Sequence, residues 1–474
     1  MFKNAVRILL LCAVFMLISS VAFAQEPVTI RIFVGLGGGT GENEVAAQQA
    51  LAEAWNAEHP DIQIVFDVYN PGQARDVLLT QIAGGNAPDI VGPVGIEGIY
   101  QNAQLWRSVA DLIERDAAEL ALDDFDPAIV NLYEGAGGVN YSLPLGVFPT
   151  VMFVNEDIFA AAEVPLPPTE WGAPYVNRDG EEMPWDWDTV AEVMRQITYD
   201  ANGVYADEEG FDAENPDTAG WAAWWYGNGR KLAMAFGAQD SGVAADGMTA
   251  TFNQPGFLNA YTWVHDRLFV DFTSTYAAQS AVVQAAGTTP FESGKIGMWT
   301  ANVWYTCCTY ADNSDSALRF NWNVYPSPAV PGTNGEQIVS PLDADTYVMT
   351  AATQHPEEAW QVMKYLLSAD ANMCSIFGCV PARSTARASW ETNITSRFAN
   401  LNLDVVYGGL AYPDQPSAQA ALPNQAQAND AINRFFRRLQ DEPEFNVEAE
   451  LNALNETIQG IYEGEFPPTP TPSS

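Results

Sequence analysis

Residues 28–68 read as strand, glycine-rich loop, helix and strand, and that order restricts the fold more than any other feature of the chain. Val28, Ile30, Ile32 and Val34 alternate with Thr29, Arg31 and Phe33, the period of two that marks a strand. A loop from Gly35 to Gly41 follows, and then Ala47, Leu51, Ala54 and Trp55 fall at helical spacing until His59-Pro60 stops the helix. Ile62, Ile64, Phe66 and Val68 alternate again. Two strands joined by a helix over so short a distance run parallel, so this part of the chain is an α/β unit.

Further helices are legible downstream. Val190, Val193, Met194 and Ile197 share one face, with Asp188 expected as the N-cap. Pro356 opens a helix whose apolar face is Ala359, Val362, Met363, Leu366 and Leu367, with Glu357 and Glu358 in the first turn. Ile432, Phe435, Phe436 and Leu439 make a third stripe, and Val447, Leu451, Leu454, Ile458 and Ile461 a fourth. Residues Pro165 to Pro184 are rich in Pro, Gly and charge and read as a surface loop. Residues 466–474, with Pro467-Pro468-Thr469-Pro470, read as an extended tail. No internal repeat is present.

The chain ends bear on compartment. Lys3 and Arg7 precede an apolar run from Ile8 to Ile18, and Ala22-Phe23-Ala24 has the small-x-small form of a cleavage site. Residues 1–24 therefore read as a secretory signal peptide, which puts the mature protein outside the cytoplasm, periplasmic or extracellular. Cys12 lacks the small preceding residue that lipidation wants. The remaining cysteines are Cys307, Cys308, Cys374 and Cys379, and an exported chain can keep disulfides among them. A turn at Phe377-Gly378 could bring Cys374 to Cys379, while cross-pairing with Cys307 or Cys308 stays open. With only three histidines, two of them before proline, no metal site is expected. The formal charge of −40 repels phosphate backbones, so nucleic acid is excluded as a partner.

A run of short segments then carries a resemblance. Trp55-Asn56-Ala57-Glu58-His59-Pro60-Asp61-Ile62, Ala83-Gly84-Gly85-Asn86-Ala87-Pro88-Asp89-Ile90 and Leu143-Pro144-Leu145-Gly146 occur in order. Val154-Asn155-Glu156-Asp157-Ile158-Phe159 follows, with Val154 and Glu156 in place of an aromatic and a lysine. The most specific segment is Phe291-Glu292-Ser293-Gly294-Lys295-Ile296-Gly297-Met298, after which come His355-Pro356-Glu357-Glu358-Ala359-Trp360 and Val380-Pro381-Ala382-Arg383. Together these resemble the family 1 extracellular solute-binding proteins, the group that includes maltose-binding proteins.

The resemblance implies a two-lobed periplasmic-binding-protein-like α/β fold, its lobes joined by crossing hinge segments near Pro144–Thr150, Leu342–Thr346 and Ser368–Cys374. One lobe would comprise residues 25–146 plus 343–372, the other 147–342 plus 373–465. It further implies a monomer without cofactor or catalysis, which captures a carbohydrate and hands it to the permease subunits of an ABC transporter.

A sugar site needs flat apolar faces for the ring and planar polar groups for its hydroxyls. Trp221, Trp224, Trp225 and Tyr226 form one aromatic cluster, and one helix could not turn all four rings inward. Trp299, Trp304 and Tyr305 form another, with Trp304 where relatives place a stacking tryptophan. Glu42 and Glu97 lie in loops that face ligand in relatives, and Phe148, Asp343 and Asp345 lie in crossing segments. Asp89 reads as structural.

Other solute classes fit less well. A polyamine or peptide could engage the same acids and rings. A glycosidase would pair two carboxylates at a set separation that sequence does not measure. The Gly35-x-Gly37-x-x-Thr40 run fails a dinucleotide fingerprint at its third glycine.

Overall fold

The computed structural model describes residues 27–130, 132–135, 139–223, 229–275, 290–307 and 318–465. The signal peptide and the proline-rich tail lie outside them. The first half opens with β1 (Val28–Val34), α1 (Glu42–Glu58), β2 (Ile62–Val68), α2 (Pro71–Ala83), β3 (Ile90–Gly95) and α3 (Ile96–Gln101). β1 pairs in parallel with β2, Val28 opposite Ile62 through Val34 opposite Val68. The expected crossover is present in register.

The chain continues through β4 (Gly146–Asn155), α4 (Trp187–Ile197), β5 (Ala219–Ala223), α5 (Gly229–Ala235), α6 (Pro255–Phe269), β6 (Ile296–Asn302) and β7 (Trp322–Tyr325). It closes with β8 (Leu342–Met349), α7 (Pro356–Ser368), α8 (Asp370–Phe377), β9 (Val380–Pro381), α9 (Gln425–Asp441) and α10 (Val447–Tyr462). Among the described residues the main sheet runs β2-β1-β3-β8-β4-β6-β5, with β7 and β9 also on β4.

One strand serves both halves of that sheet. The first residues of β4, Gly146 to Pro149, pair with β8, and Val147 and Gly146 also pair with β9. Its later residues, Thr150 to Val154, pair with β6. All ten residues of β4 are buried, as expected of a strand covered on both faces.

Side-chain alternation then sorts residues into two cores. Met152, Val154 and Met298 belong to one cluster with Trp187, Trp221, Phe435 and Phe436. Their strand neighbours Phe153 and Trp299 belong to the other, with Ile30, Trp55, Val94 and Trp360. Cross-strand partners share a face, since Phe153 lies opposite Trp299 and Val154 opposite Met298.

Two local expectations change. The helix over Val190–Ile197 starts at Trp187, and its N-cap is Asp186, whose side chain accepts from the Thr189 N–H at 3.0 Å. Asp188 sits in the first turn because Trp187, fully buried, already belongs to the helix's apolar face. Trp221 lies on a strand rather than a helix, held in parallel pairing with Met298. It packs edge-on against Trp187 and Trp263, with ring centroids 5.8 Å and 5.0 Å away. Within the 165–184 loop, Tyr175–Val176 pairs with Glu182–Met183 as a small hairpin.

Cys374 and Cys379 are joined by a disulfide across the turn that ends α8. It lies directly over the start of β4, where a β-carbon on Gly146 would come within 2.4 Å of both sulfurs. Cys308 lies outside the described residues, and of Cys307 only the backbone is described.

Candidate functional site

The loop after β1 brings α1 close to β3. A β-carbon on Gly37 would lie 2.6 Å from the Pro93 carbonyl oxygen, so glycine allows the two backbones to touch. The first turn of α1 is capped by Glu44, whose Oε2 accepts from the Gly41 N–H at 2.8 Å and the Gly39 N–H at 3.1 Å. Glu42, two residues earlier, is exposed. The residue turned inward from this loop is Glu44.

β8 lies beside β3, with Asp345 opposite Gly95, and this register places the aspartate next to the start of α3. Glu97, in the first turn of α3, donates its N–H to Gln419 Oε1 at 3.1 Å. Its Oε1 accepts from Gln101 at 3.1 Å and from Asn429, on α9, at 2.5 Å. Gln419 also donates to Asp343 Oδ1. Lys231, on α5, donates to Asp343 Oδ2 at 2.6 Å and to Asn302 Oδ1 at 3.4 Å. Asn302, at the end of β6, is fixed by donating to the Phe148 and Pro341 carbonyls and to Thr150 Oγ1.

These contacts join α3 and β8 to α5, β6 and α9, elements far apart in sequence. Glu97, Asp343 and Asp345, separate in the chain, come together here. Lys231, Asn302, Gln419, Asn429 and Glu44 complete the cluster and were not singled out from sequence. Gln419 and Asn429 come from a run of amides and alanines with no periodic signal, and Lys231 adjoins Arg230 behind the first aromatic cluster.

The electrostatics are uneven. Asp343 has Lys231 as a partner. Asp345 keeps part of its surface open, yet protein crowds it and no hydrogen-bond donor reaches its carboxylate among the described residues. Burial, with Asp343 and Glu44 adding and Lys231 opposing, pushes its carboxyl up to about 7. Asp414, buried nearby, is likewise raised to about 6 by burial, although its Oδ1 accepts from the Leu342 N–H at 2.8 Å. Arg230 is fully enclosed and donates to the Ala420 carbonyl at 3.0 Å. Burial lowers its pKa, and Glu97 is the main charge opposing that shift.

The aromatic candidates divide. Trp299 and Tyr305 are 2 % and 1 % exposed and lie in the core, their centroids 5.9 Å apart. The odd-numbered face of β6, paired to Phe153, carries Trp299 there. Phe148 is also core, at 3 % exposed. Trp304 is partly buried at the edge of the same cluster, its ring edge-on to Tyr305 with centroids 6.3 Å apart. Trp224 and Trp225 lie outside the described residues. Asp89 accepts from the Arg31 N–H at 3.0 Å and the Thr353 hydroxyl at 2.6 Å, a structural role.

A cavity of about 600 Å³ opens elsewhere, among Trp55, Arg115, Asp116, Lys364 and Tyr365. Its ions are paired with one another, Asp116 with both Arg115 and Lys364. Its charges are thus spent, and the cluster around Asp343 is the better candidate. Among the described residues no His/Cys/Asp/Glu group is arranged to hold a metal, and no helix is long and apolar enough to cross a membrane.

A family model for bacterial extracellular solute-binding proteins matches residues 39–373, more than half of the chain. An uncharacterised lipoprotein from the oleD 5′ region of Streptomyces antibioticus is 26 % identical over 370 residues, 76 % of this chain and 72 % of that protein. An ABC substrate-binding protein of Listeria monocytogenes, solved with cycloalternan, superposes with a TM-score of 0.70 at 18 % identity, covering 93 % of this chain and all of that one. A solute-binding protein of Thermotoga lettingae, solved with α-D-tagatose, gives 0.67 at 15 % identity, covering 92 % and 100 %. At such identities the likeness concerns the fold, the two-lobed α/β architecture of periplasmic binding proteins.

Proposed function

The chain belongs to the bacterial extracellular solute-binding protein family, and on that premise we propose that it captures a carbohydrate, an oligosaccharide, between two lobes and delivers it unchanged to the permease of an ABC importer. The observation that carries this reading is the meeting of Glu97, Asp343, Gln419 and Asn429 with Lys231 at one place. Planar carboxylates and amides in both donor and acceptor roles are what a ring of hydroxyls requires. Proteins of similar fold solved with cycloalternan and tagatose support a sugar as the solute.

In this reading residues 25–146 plus 343–372 form one lobe and 147–342 plus 373–465 the other, and β4 and β8 are the strands between them. Glu97, Asp343 and Asp345 contact the ligand hydroxyls, and Trp304, the half-buried ring of its cluster, stacks on a sugar face. The mature chain acts as a monomer outside the cytoplasm after residues 1–24 are removed. It performs no chemistry on its ligand.

A second reading, capture of a cationic solute such as a polyamine, draws support from the unpartnered Asp345 carboxylate. A thermal-shift screen of mono- and oligosaccharides with spermidine separates the two, because ligand binding only the folded state raises the melting temperature. Stabilisation by a sugar, with a smaller radius of gyration on saturation and the sugar recovered intact, is the expected result. Stabilisation by spermidine alone would overturn the carbohydrate reading.

A further inference from the structure

The geometry points to a cation-accepting subsite at Asp345 and Glu44, so that the captured carbohydrate is an amino sugar whose protonated amine sits between these carboxylates. This inference rests on the carbohydrate reading of the site and narrows it.

Both acids border the backbone at Gly38, and each keeps part of its surface open. A β-carbon placed on Gly38 would lie 4.0 Å from Asp345 Oδ2 and 3.7 Å from Glu44 Oε1, and one on Gly95 would lie 3.4 Å from Asp345 Oδ1. Glycine at both positions leaves the carboxylates uncovered. Glu44 spends only Oε2 on the Gly39 and Gly41 amides, and neither oxygen of Asp345 has a donor among the described residues. The nearby ammonium, Lys231, is committed to Asp343 at 2.6 Å. Asp343 and Asp345 therefore share one ammonium, and Asp343 holds it.

A second observation on the protein side agrees. The hydroxyls of Tyr133 and Tyr347 are fully buried and have no hydrogen-bond partner among the described residues. Asp345 is the foremost charged neighbour of both, joined by Asp343 at Tyr133 and by Glu44 at Tyr347. Buried polar groups ordinarily find partners. Among the described residues, two phenols and the carboxylate that is their foremost charged neighbour are left without them, so this place is short of donors and of positive charge. A primary ammonium supplies three N–H donors and the missing charge. A neutral hydroxyl supplies neither the charge nor the third donor.

Calorimetric titration of the full mature chain tests this with three disaccharides of one skeleton: the β-1,4-linked glucosamine dimer, its N,N′-diacetyl form and cellobiose. Maltotriose serves as a neutral sugar of another linkage. The glucosamine dimer is expected to bind at least about tenfold more tightly than the other three, the scale of a hydrogen bond to a charged group. Asp345→Asn should abolish that preference without lowering the melting temperature, and Glu44→Gln should reduce it. Equal or tighter binding of a neutral sugar, or a preference that survives Asp345→Asn, overturns the amine subsite and leaves the carbohydrate reading standing. If no sugar binds, both fail together, and tight binding of spermidine alone assigns the acids to a different solute.

Discussion

The ammonium of Lys231 lies 2.6 Å from Oδ2 of Asp343, joining helix α5 to the start of strand β8 across 112 residues of chain. Both side chains are largely shielded, at 11 % and 19 % exposed, so the pair is costly to break on one side only. Lys231→Met should strand Asp343 and lower stability by about 2–3 kcal/mol, somewhat less than a fully buried pair would lose. Adding Asp343→Asn should recover part of that loss. Urea unfolding of the two single variants and the double variant measures the coupling, and simple additivity would show that the contact contributes nothing.

Trp304 and Trp299 should respond differently to truncation. Trp299, in the core, should cost about 3–5 kcal/mol of stability as Trp299→Ala. Trp304, half-buried, should melt close to wild type as Trp304→Ala but bind ligand more weakly by about 1–3 kcal/mol. Melting and titration on both variants decide the matter, and a Trp304 variant with full affinity and a low melting point would place that ring in the core.

Asp345 sets a pH dependence with a definite sign. Its folded pKa of about 7 lies above the ordinary carboxyl value, so between pH 4 and pH 7 the folded state holds the proton more tightly than the unfolded chain does. This acid's contribution is therefore favourable at low pH and is lost as pH rises through that window. Asp345→Asn should gain on wild type by about 2–4 kcal/mol between pH 4 and pH 8. Parallel unfolding curves at several pH values check this, and a constant difference would contradict the raised pKa.

Gly146 has no room for a side chain beside the disulfide. Gly146→Ala would press a methyl to within 2.4 Å of both sulfurs and should destabilise by about 1–3 kcal/mol, as overpacking does. The same substitution in a Cys374→Ala, Cys379→Ala background should cost clearly less. An equal penalty in both backgrounds would assign the glycine to backbone conformation instead.

Much of this was legible before any coordinates. The strands over 28–34 and 62–68, their parallel crossover, and the helices opened by Pro356 and ending near Ile461 follow from periodicities that one element displays by itself. Asp89 read as structural and proved so. The candidate site was legible only in part. Glu97, Asp343 and Asp345 stood out, but Gln419 and Asn429 come from a stretch whose importance rests on contacts with residues more than 70 and 300 positions away. Glu44 was passed over for Glu42 because a first-turn acid gives no sign of which way it points until the loop before it is placed.

Local order of apolar and polar residues determined the element types and the α/β class, because each is written in neighbours along the chain, while the family rested on the resemblance of short sequence segments. Which tryptophan is buried in the core and which is only partly buried at its edge was decided by the tertiary structure alone. Trp299 and Trp304 are five residues apart, yet the first is held on the inner face of β6 against Phe153, and the second lies past the strand's end at the rim of that core. The charge state of Asp345 was decided there too, since its neighbours Glu44 and Lys231 reach it only once α1, α5 and β8 are packed together. Composition records sixty acids; packing sets the surroundings of each.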